Sequence, residues 1–446
     1  MKKSNWDKKL TAMVLGGIMA LSVTSATALA AEHMDLNLAD SLAMALNNNR
    51  TIKQSIESAD SANWALKAAK GNKGLSLDWS ATANAVGGAA YSNRDRDFTN
   101  TLTASLPIYT GGKLENNVKY AEIGLDVSSL NLENTKQSIK LQTTEDYYKI
   151  LQCRNLLQVR QESVASLQGH LKNVMAQFTV GTVAKSDVLR SQVELADAQQ
   201  ALVSAQNNYD LAMSAFNNVV GLSLDTFVNI QDELRYEKYS MVLENCIDYA
   251  MTHRPDGIAA EKTIQQAEAS IKVAKAGQLP QVSLAASDYI DGEKAFKDDV
   301  TDKWAVGVSA QWNLFDSNVT RSQIKQAEAA KRKAEEAGNE QKDTIQLEVR
   351  QAYLNMLAAE KNIQTTQTAV DQAQEDYKIA GVRYSAGVGT NLDVMDAQVS
   401  LTTAKTNYIQ ALYDYNTGKA TLDKAMGIPV DLDASTYQKT APIAAK

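Results

Sequence analysis

The chain has 446 residues, with 45 Lys and Arg against 52 Asp and Glu, a net charge of −7, five prolines and six phenylalanines. It carries no extended basic block beyond its first ten residues, which argues against a nucleic-acid partner. The length suits two or three ordinary domains, but a composition rich in Ala, Gln, Asn and Leu suits long helices better than one thick core.

At the N-terminus, Lys2, Lys3, Lys8 and Lys9 precede an apolar stretch from Leu10 to Ala20. Ala28-Leu29-Ala30 follows as a small-x-small cleavage site. Residues 1–30 therefore read as a secretory signal peptide cut after Ala30, the apolar run being short for a membrane anchor. No cysteine near that site offers a lipid attachment point. No later apolar run reaches 18 residues, so no transmembrane helix is expected. Cys153 and Cys246 both fall in helical patterns, and spacing alone leaves their pairing open.

Shifted by 206 positions, the remaining chain matches itself without a gap. Ile52 falls on Ile258, Tyr147 on Tyr353, Gly181 on Gly387, Asp187 on Asp393, Gln192 on Gln398, Tyr209 on Tyr415 and Gly221 on Gly427. A tandem duplication is expected, with repeats at 31–235 and 236–430 and a tail at 431–446. Each half reads helix, strand, strand, long helix, turn, helix.

The first helical segment of each half gives way to period-two patterns. Leu75, Leu77, Trp79, Ala81 and Ala83 alternate with Ser76, Asp78, Ser80 and Thr82. Phe98, Leu102, Ala104, Leu106 and Ile108 alternate with Thr99, Thr101, Thr103 and Ser105. In the second half, Val282, Leu284 and Ala286 form one such face, and Trp304, Val306, Val308, Ala310, Trp312 and Leu314 another. These alternations predict strands at about 75–86, 98–109, 280–290 and 303–315, joined in pairs by the polar loops 88–97 and 292–302. Strands of about ten residues fit a tilted bilayer crossing. A soluble sheet packed on helices is the alternative. Four strands cannot close a barrel, and open edges are forbidden in lipid, so a membrane barrel would have to be shared among chains.

Proline-free helical patterns follow, at 113–178 and 321–384. At 1.5 Å per residue each would run roughly 100 Å. The return helices carry heptads. Val188, Leu195, Leu202, Tyr209 and Phe216 lie seven apart, with Ser191, Ala198, Ala205, Ala212 and Val219 three positions on. The same frame gives Val394, Leu401, Tyr408, Tyr415 and Leu422, then Ala397, Ala404, Ala411, Gly418 and Ala425. Large knobs beside a row of small residues predict closely packed, supercoiled helices.

A duplicated helix–strand–strand–helix–turn–helix unit after a signal peptide resembles the TolC family of outer membrane efflux proteins. The likeness spans about residues 36–430. It is carried most specifically by "LPIYTGGK" (106–113), "WNLFDSN" (312–318), "FTVGTVAKSDVLRSQ" (178–192) and "YSAGVGTNLDVMDAQ" (384–398). The resemblance implies a mixed α and β fold of mainly long helices. It further implies a homotrimer with a twelve-stranded outer-membrane barrel, four strands per chain, continued by a twelve-helix tunnel in the periplasm. Its expected function is the exit duct of a tripartite efflux or type I secretion system. The expected partners are a periplasmic adaptor and an inner-membrane pump.

The segment 384–398 holds the candidate site. Asp393 and Asp396 lie three apart, on one face of a helix. Thr390 with Asp393 also reads as a capping box, so a cap alone is one interpretation. The resemblance implies a second, in which a threefold axis makes each acid a ring that narrows the entrance and favours cations. It also implies that Tyr384 and Asp187 link neighbouring coils. The turn residues Gly181, Thr182, Gly387 and Val388 would lie where an adaptor docks. Gly389 departs from the family pattern, which has an arginine there. No histidine recurs between the halves, and no HExxH, nucleophile-elbow or phosphate-loop motif occurs. Neither an enzyme, a cofactor nor a metal site is expected. A periplasmic adaptor or scaffold without a pore is the rival reading, and it gives the apolar strand faces no role. A surface adhesin would not call for the duplication.

Overall fold

The structure, a computed structural model, describes residues 34–85, 96–292 and 300–430. The expected signal segment, most of both polar loops and the C-terminal tail lie outside these residues. The first half runs β1 (Met34–Leu36), α1 (Leu38–Asn48), α2 (Arg50–Gly71), β2 (Ser76–Ala85), β3 (Arg96–Tyr109), α3 (Lys113–Thr179) and α4 (Lys185–Val220). The second runs β4 (Val228–Ile230), α5 (Leu243–His253), α6 (Pro255–Lys275), β5 (Gln281–Gly292), β6 (Val300–Gln311), α7 (Val319–Ser385) and α8 (Asn391–Met426). Both long helices contain 67 residues, and both return helices contain 36.

Local chemistry sets the breaks. Asn49, extended at φ −60 and ψ 129, ends α1 through its N–H to Ala45 O. The same residue starts α2, its side chain accepting from Thr51 N at 2.8 Å. In the second half Arg254 occupies this corner, and Pro255 opens α6 at a position that needs no N–H. Each strand-to-helix corner needs two left-handed residues. Gly111 and Gly112 supply them first, at φ +63 and +82, and a Cβ on Gly111 would sit 2.7 Å from Leu279 Cβ. Ser317 and Asn318 take the equivalent conformations at φ +51 and +69. There the Asp316 carboxylate accepts from Thr320 N at 2.8 Å and from its hydroxyl, which holds the corner in place of glycine.

The four long strands form one antiparallel sheet in the order β2-β3-β5-β6. Its register puts Leu77, Trp79, Leu102, Ala104, Leu284, Ala286, Trp304, Val306 and Val308 on one face. Asp288 and Asp302 interrupt that face toward its far end. Serines and threonines line the opposite face and pair across strands: Ser76 with Ser105 at 2.7 Å, Thr103 with Ser287 at 3.1 Å, and Ser283 with Ser309 at 2.9 Å. Among the described residues the apolar face has no cover, Trp79 being 66% and Trp304 79% exposed. No helix among the described residues is long and apolar enough to cross a membrane. β6 ends at Gln311, earlier than its alternation predicts, because β5 offers no partner before Gln281. Trp312 instead turns its indole N–H to Gln278 O at 3.0 Å, and Leu314 and Phe315 stand exposed.

Below the sheet the long helices form a wall. α2 and α6 flank the upper part of α3, and α6 also packs on α7. Lower down, α3 packs on α4 and α8, and α8 on α7. The order across the wall is therefore α4-α3-α8-α7. The α8 heptad faces inward as expected: Val394, Leu401, Tyr415, Leu422, Ala397, Ala404, Ala411 and Ala425 are buried. At Gly418 the backbone approaches so closely that a Cβ would lie 3.3 Å from Met356 Cα. The main core lies at mid-height, where Tyr147, Leu151, Phe216, Val349, Tyr415 and Leu422 meet around the parallel β1–β4 pair. Cys153 and Cys246 are buried there as free thiols.

Two glycines separate conformational strain from steric fit. Gly427 closes α8 at φ +75, and a Cβ there would lie 2.9 Å from Arg254 Cα. Gly181 has φ +80 with open space around it. Gly181→Ala is expected to cost about 1 kcal/mol, from the left-handed backbone alone. Gly427→Ala, with the added collision, is expected to cost about 3 kcal/mol. Denaturant titrations followed by helical circular dichroism in detergent check the order, and equal losses would contradict it.

Candidate functional site

The end of the wall farthest from the sheet is built from two matching turns. After α3, Gly181 N donates to Phe178 O at 3.0 Å and Thr182 N to Gln177 O at 3.0 Å. After α7, Gly387 N donates to Tyr384 O at 3.1 Å and Val388 N to Arg383 O at 3.0 Å. Both glycines are left-handed, so each chain reversal takes five residues between long helices. Gly181, Thr182, Gly387 and Val388 are all exposed. Gly389 presses on the end of α7: a Cβ there would meet Tyr384 N at 3.0 Å. A long side chain at this position would require the turn to shift.

Asp393 sits in the first turn of α8 and completes a reciprocal capping box. Thr390 N donates to its carboxylate at 2.9 Å, and its own N–H donates to the Thr390 hydroxyl at 3.1 Å. Hydrogen bonds from Thr390, with a smaller contribution from the charge of Arg383, hold the Asp393 carboxyl below its ordinary value. Asp396 stands one turn further along, and both acids are exposed. The first half has half of this device. Ala184 N donates to Asp187 at 3.3 Å, but Ala184 has no hydroxyl to return the bond.

Tyr384 and Asp187 are neighbours without being bonded. The Tyr384 hydroxyl is buried and meets no hydrogen-bond partner among the described residues. Burial and then the charge of Asp187 raise its pKa. Asp187 makes its tie to α8 through the backbone, its carbonyl accepting from Asn391 Nδ2 at 3.2 Å.

That bond belongs to a polar knot absent from the sequence reading. Asn391, buried as the first residue of α8, also accepts at Oδ1 from Ser191 Oγ at 3.3 Å. The same oxygen lies 2.6 Å from His170 Nε2. Because Nδ2 faces a carbonyl, Oδ1 must face the imidazole, so His170 donates from Nε2. The His170 ring lies 5.2 Å from the Tyr384 ring, tilted by 55°. One side chain thus joins α3, α4 and α8, with Tyr384 of α7 packed against it. Val174, Ala380, Val394 and Ala397 form a small apolar core beneath. A lone histidine near a helix end was the only sequence signal, and its non-recurrence between the halves made it look incidental.

A duplicated chain whose two-faced sheet is carried on paired long helices defines an architectural class. The chain belongs to the outer membrane efflux protein family, whose sequence model matches residues 42–222 and 246–428. This is a family of outer membrane transport proteins, not of enzymes, and it lends no support to the pore-less scaffold. The chain is 23% identical to the outer membrane protein TolC of Escherichia coli over 313 residues, 68% of this chain and 64% of that protein. It is likewise 23% identical to TolC of Salmonella enteritidis, covering 70% of this chain and 66% of the relative. The matched region thus spans slightly under two thirds of these relatives. Among solved structures, it resembles the Campylobacter jejuni CmeC outer membrane channel with a TM-score of 0.79 at 18% identity, covering 90% of this chain and 88% of that one. It resembles CusC with a TM-score of 0.77 at 16% identity, covering 88% and 92%.

The capping box makes a pH-dependent prediction. A carboxyl whose folded pKa is depressed supports the fold above its unfolded pKa, near 4, and loses that support as pH falls through the folded value. Amide exchange in the first turn of α8, corrected for its intrinsic pH dependence, should therefore accelerate below about pH 4 in the parent. Thr390→Ala should accelerate it at neutral pH as well, by an amount matching about 1 kcal/mol. Unchanged exchange in the variant would remove the box as a stabiliser.

Proposed function

We propose that three copies of this chain close a twelve-stranded barrel in the outer membrane and a twelve-helix tunnel beneath it. In this reading the protein is a passive exit duct for efflux or type I secretion. The two-faced sheet carries the proposal. Its tryptophan-bearing face suits lipid, its Ser/Thr ladder suits a wet lumen, and β2 and β6 are edges. Lipid leaves an edge no water to bond, so β2 of one copy must meet β6 of the next until the ring closes. A pore-less adaptor would leave the exposed Trp79 and Trp304 face without a solvent that suits it. The repeats at 31–235 and 236–430 each supply one hairpin of strands and one of helices to the ring.

The far end of the tunnel is the entrance. Threefold symmetry places six carboxylates, from Asp393 and Asp396, around its axis, a constriction that admits cations and repels anions. Tyr384 and Asp187, adjacent in each chain, form the latch that keeps the coils drawn in, and the buried Tyr384 hydroxyl is free to take a partner as they move. The exposed turns at Gly181, Thr182, Gly387 and Val388 offer backbone and small side chains to the tip of a periplasmic adaptor. That adaptor couples the duct to an inner-membrane pump, which supplies the energy and selects the cargo.

Two measurements test this function. Light scattering in detergent should give the mass of three chains, and a stable monomer would overturn the shared barrel. In planar bilayers the parent should pass cations in preference to anions. Asp393→Ala with Asp396→Ala should abolish that preference while the trimer survives. Retained selectivity in a folded double variant would leave the acids as helix caps and place the constriction elsewhere.

A further inference from the structure

Most of the mid-height core is hydrocarbon, but one corner of it is built of sulfur. The segment 231–242 forms neither helix nor strand. It lays Tyr239 and Met241 against the core beside α5 and the end of α8. The Tyr239 hydroxyl lies 3.7 Å from Met241 Sδ and 3.7 Å from the Sδ of Met426, the last residue of α8. It also hydrogen-bonds the thiol of Cys246, in the first turn of α5. Three sulfurs from three separate elements thus surround one hydroxyl. That hydroxyl has a single hydrogen to give, so it cannot serve all three at once. Cys246 and Met426 are buried, whereas Tyr239 and Met241 are half-buried, so one side of the corner is turned toward solvent.

Leucine would fill the same space. Thioether sulfur adds a polarisable lone pair on a side chain with three rotatable bonds, and a thiol adds a ligand that can ionise. Together these select soft cations over Mg, Ca and other hard ones. No cluster of three His, Cys, Asp or Glu occurs among the described residues, so no harder ion finds a comparable set. Burial raises the Cys246 thiol above its ordinary value, the bond from Tyr239 offsets part of that rise, and the charge of Asp423 adds to it. The thiol is therefore protonated at neutral pH. A monovalent cation that replaces its proton leaves the corner neutral, so no net charge is buried, whereas a divalent one would leave a positive charge there.

We propose that Met241, Cys246 and Met426 form a three-sulfur site for a soft monovalent cation, Cu(I) or Ag(I). Cys246 gives its proton to solvent as the metal–sulfur bond forms, and no oxidant or reductant takes part. An ion standing where the Tyr239 hydroxyl oxygen now lies draws both thioethers in from 3.7 Å to about 2.3 Å, a movement within reach of the methionine torsions. Tyr239 turns aside, its backbone still held by the N–H that donates to the Tyr415 hydroxyl at 3.0 Å. The loaded site fastens the segment 231–242 to α5 and α8. All three ligands come from one chain, so the site does not depend on the ring of copies.

The test uses the full chain in detergent, in a Cys153→Ser background that leaves a single thiol. Incubated with silver(I) and desalted, it should retain about one silver per chain, and zinc(II) should not displace it. Met241→Leu and Met426→Leu conserve volume and should fold. Each should weaken silver binding by no less than the roughly tenfold typical of losing an outer partner of a metal. X-ray absorption of the Cu(I)-loaded chain should count three sulfur neighbours. Silver held equally well by both leucine variants would reduce the site to a lone thiol and overturn it. A folded parent that retains no silver would overturn it too, and zinc binding as tightly as silver would overturn the choice of ion. If a leucine variant fails to fold, the sulfur count in the parent decides, and two or fewer overturns the site.

Discussion

A backbone N–H or C=O inside hydrocarbon has no water to turn to, and the architecture follows from that constraint. The sheet of this chain pairs every interior strand but ends in β2 and β6, each with one side of its ladder open. The same four strands separate apolar from hydroxyl-bearing side chains with period two, so the sheet suits a place between lipid and water, where its two open edges would call for further copies. The helices inherit their arrangement from this. Strands that enter and leave on one side hand the chain to α3 and α7 at equivalent corners, and the two hairpins hang in parallel beneath.

Duplication builds both halves of the sheet and the helix wall from one pattern, and the places where the halves diverge mark different local tasks. The corners show one solution replaced by another. Gly111 and Gly112 adopt left-handed conformations through the lack of a side chain, whereas Ser317 and Asn318 do so under the hold of Asp316 and Thr320. The tip shows a divergence in environment. Asn391, His170 and Ser191 gather inside the chain, where a neutral knot fully satisfied by hydrogen bonds is tolerated. A charge at Asn391 or His170 would have to be desolvated there, while the matching positions in the other half face solvent and carry charges without that penalty.

Much of this was legible because periodicity survives where packing is repetitive. The alternation around Trp79 and Trp304 located the strands, and the proline-free stretches located helices that end within two residues of the expected positions. The α8 heptad named its buried face, since a wall of parallel helices enforces one contact pattern along its whole length. On α4 the same heptad is only half buried, because an edge helix lacks its second neighbour. The end of β6 was misplaced because Trp312 and Leu314 continue the alternation beyond the last available partner, Gln281. The knot at Asn391 was invisible because its members are 221 and 200 residues apart and follow no repeat. Asp393 illustrates the intermediate case. Its spacing from Thr390 announced a cap, and the cap is present, whereas its place on a shared axis depends on other copies of the chain.

The wall is one helix thick, and its lower part has leverage. The stretch of α8 from its anchor at Tyr415 in the core to Asn391 at the tip makes an arm of about 36 Å at 1.5 Å per residue. A turn of about 5° at that anchor carries the free end through roughly 3 Å, about two bond lengths. The rows of alanine and glycine along the arm present few protrusions to interlock with the neighbouring helix, so the helices can slide before they must bend. In the proposed ring, the position of the tips would therefore depend on stiffness at the fulcrum as much as on attraction at the tip. Softening a tyrosine at mid-height would loosen the tip about 36 Å away without touching any residue there.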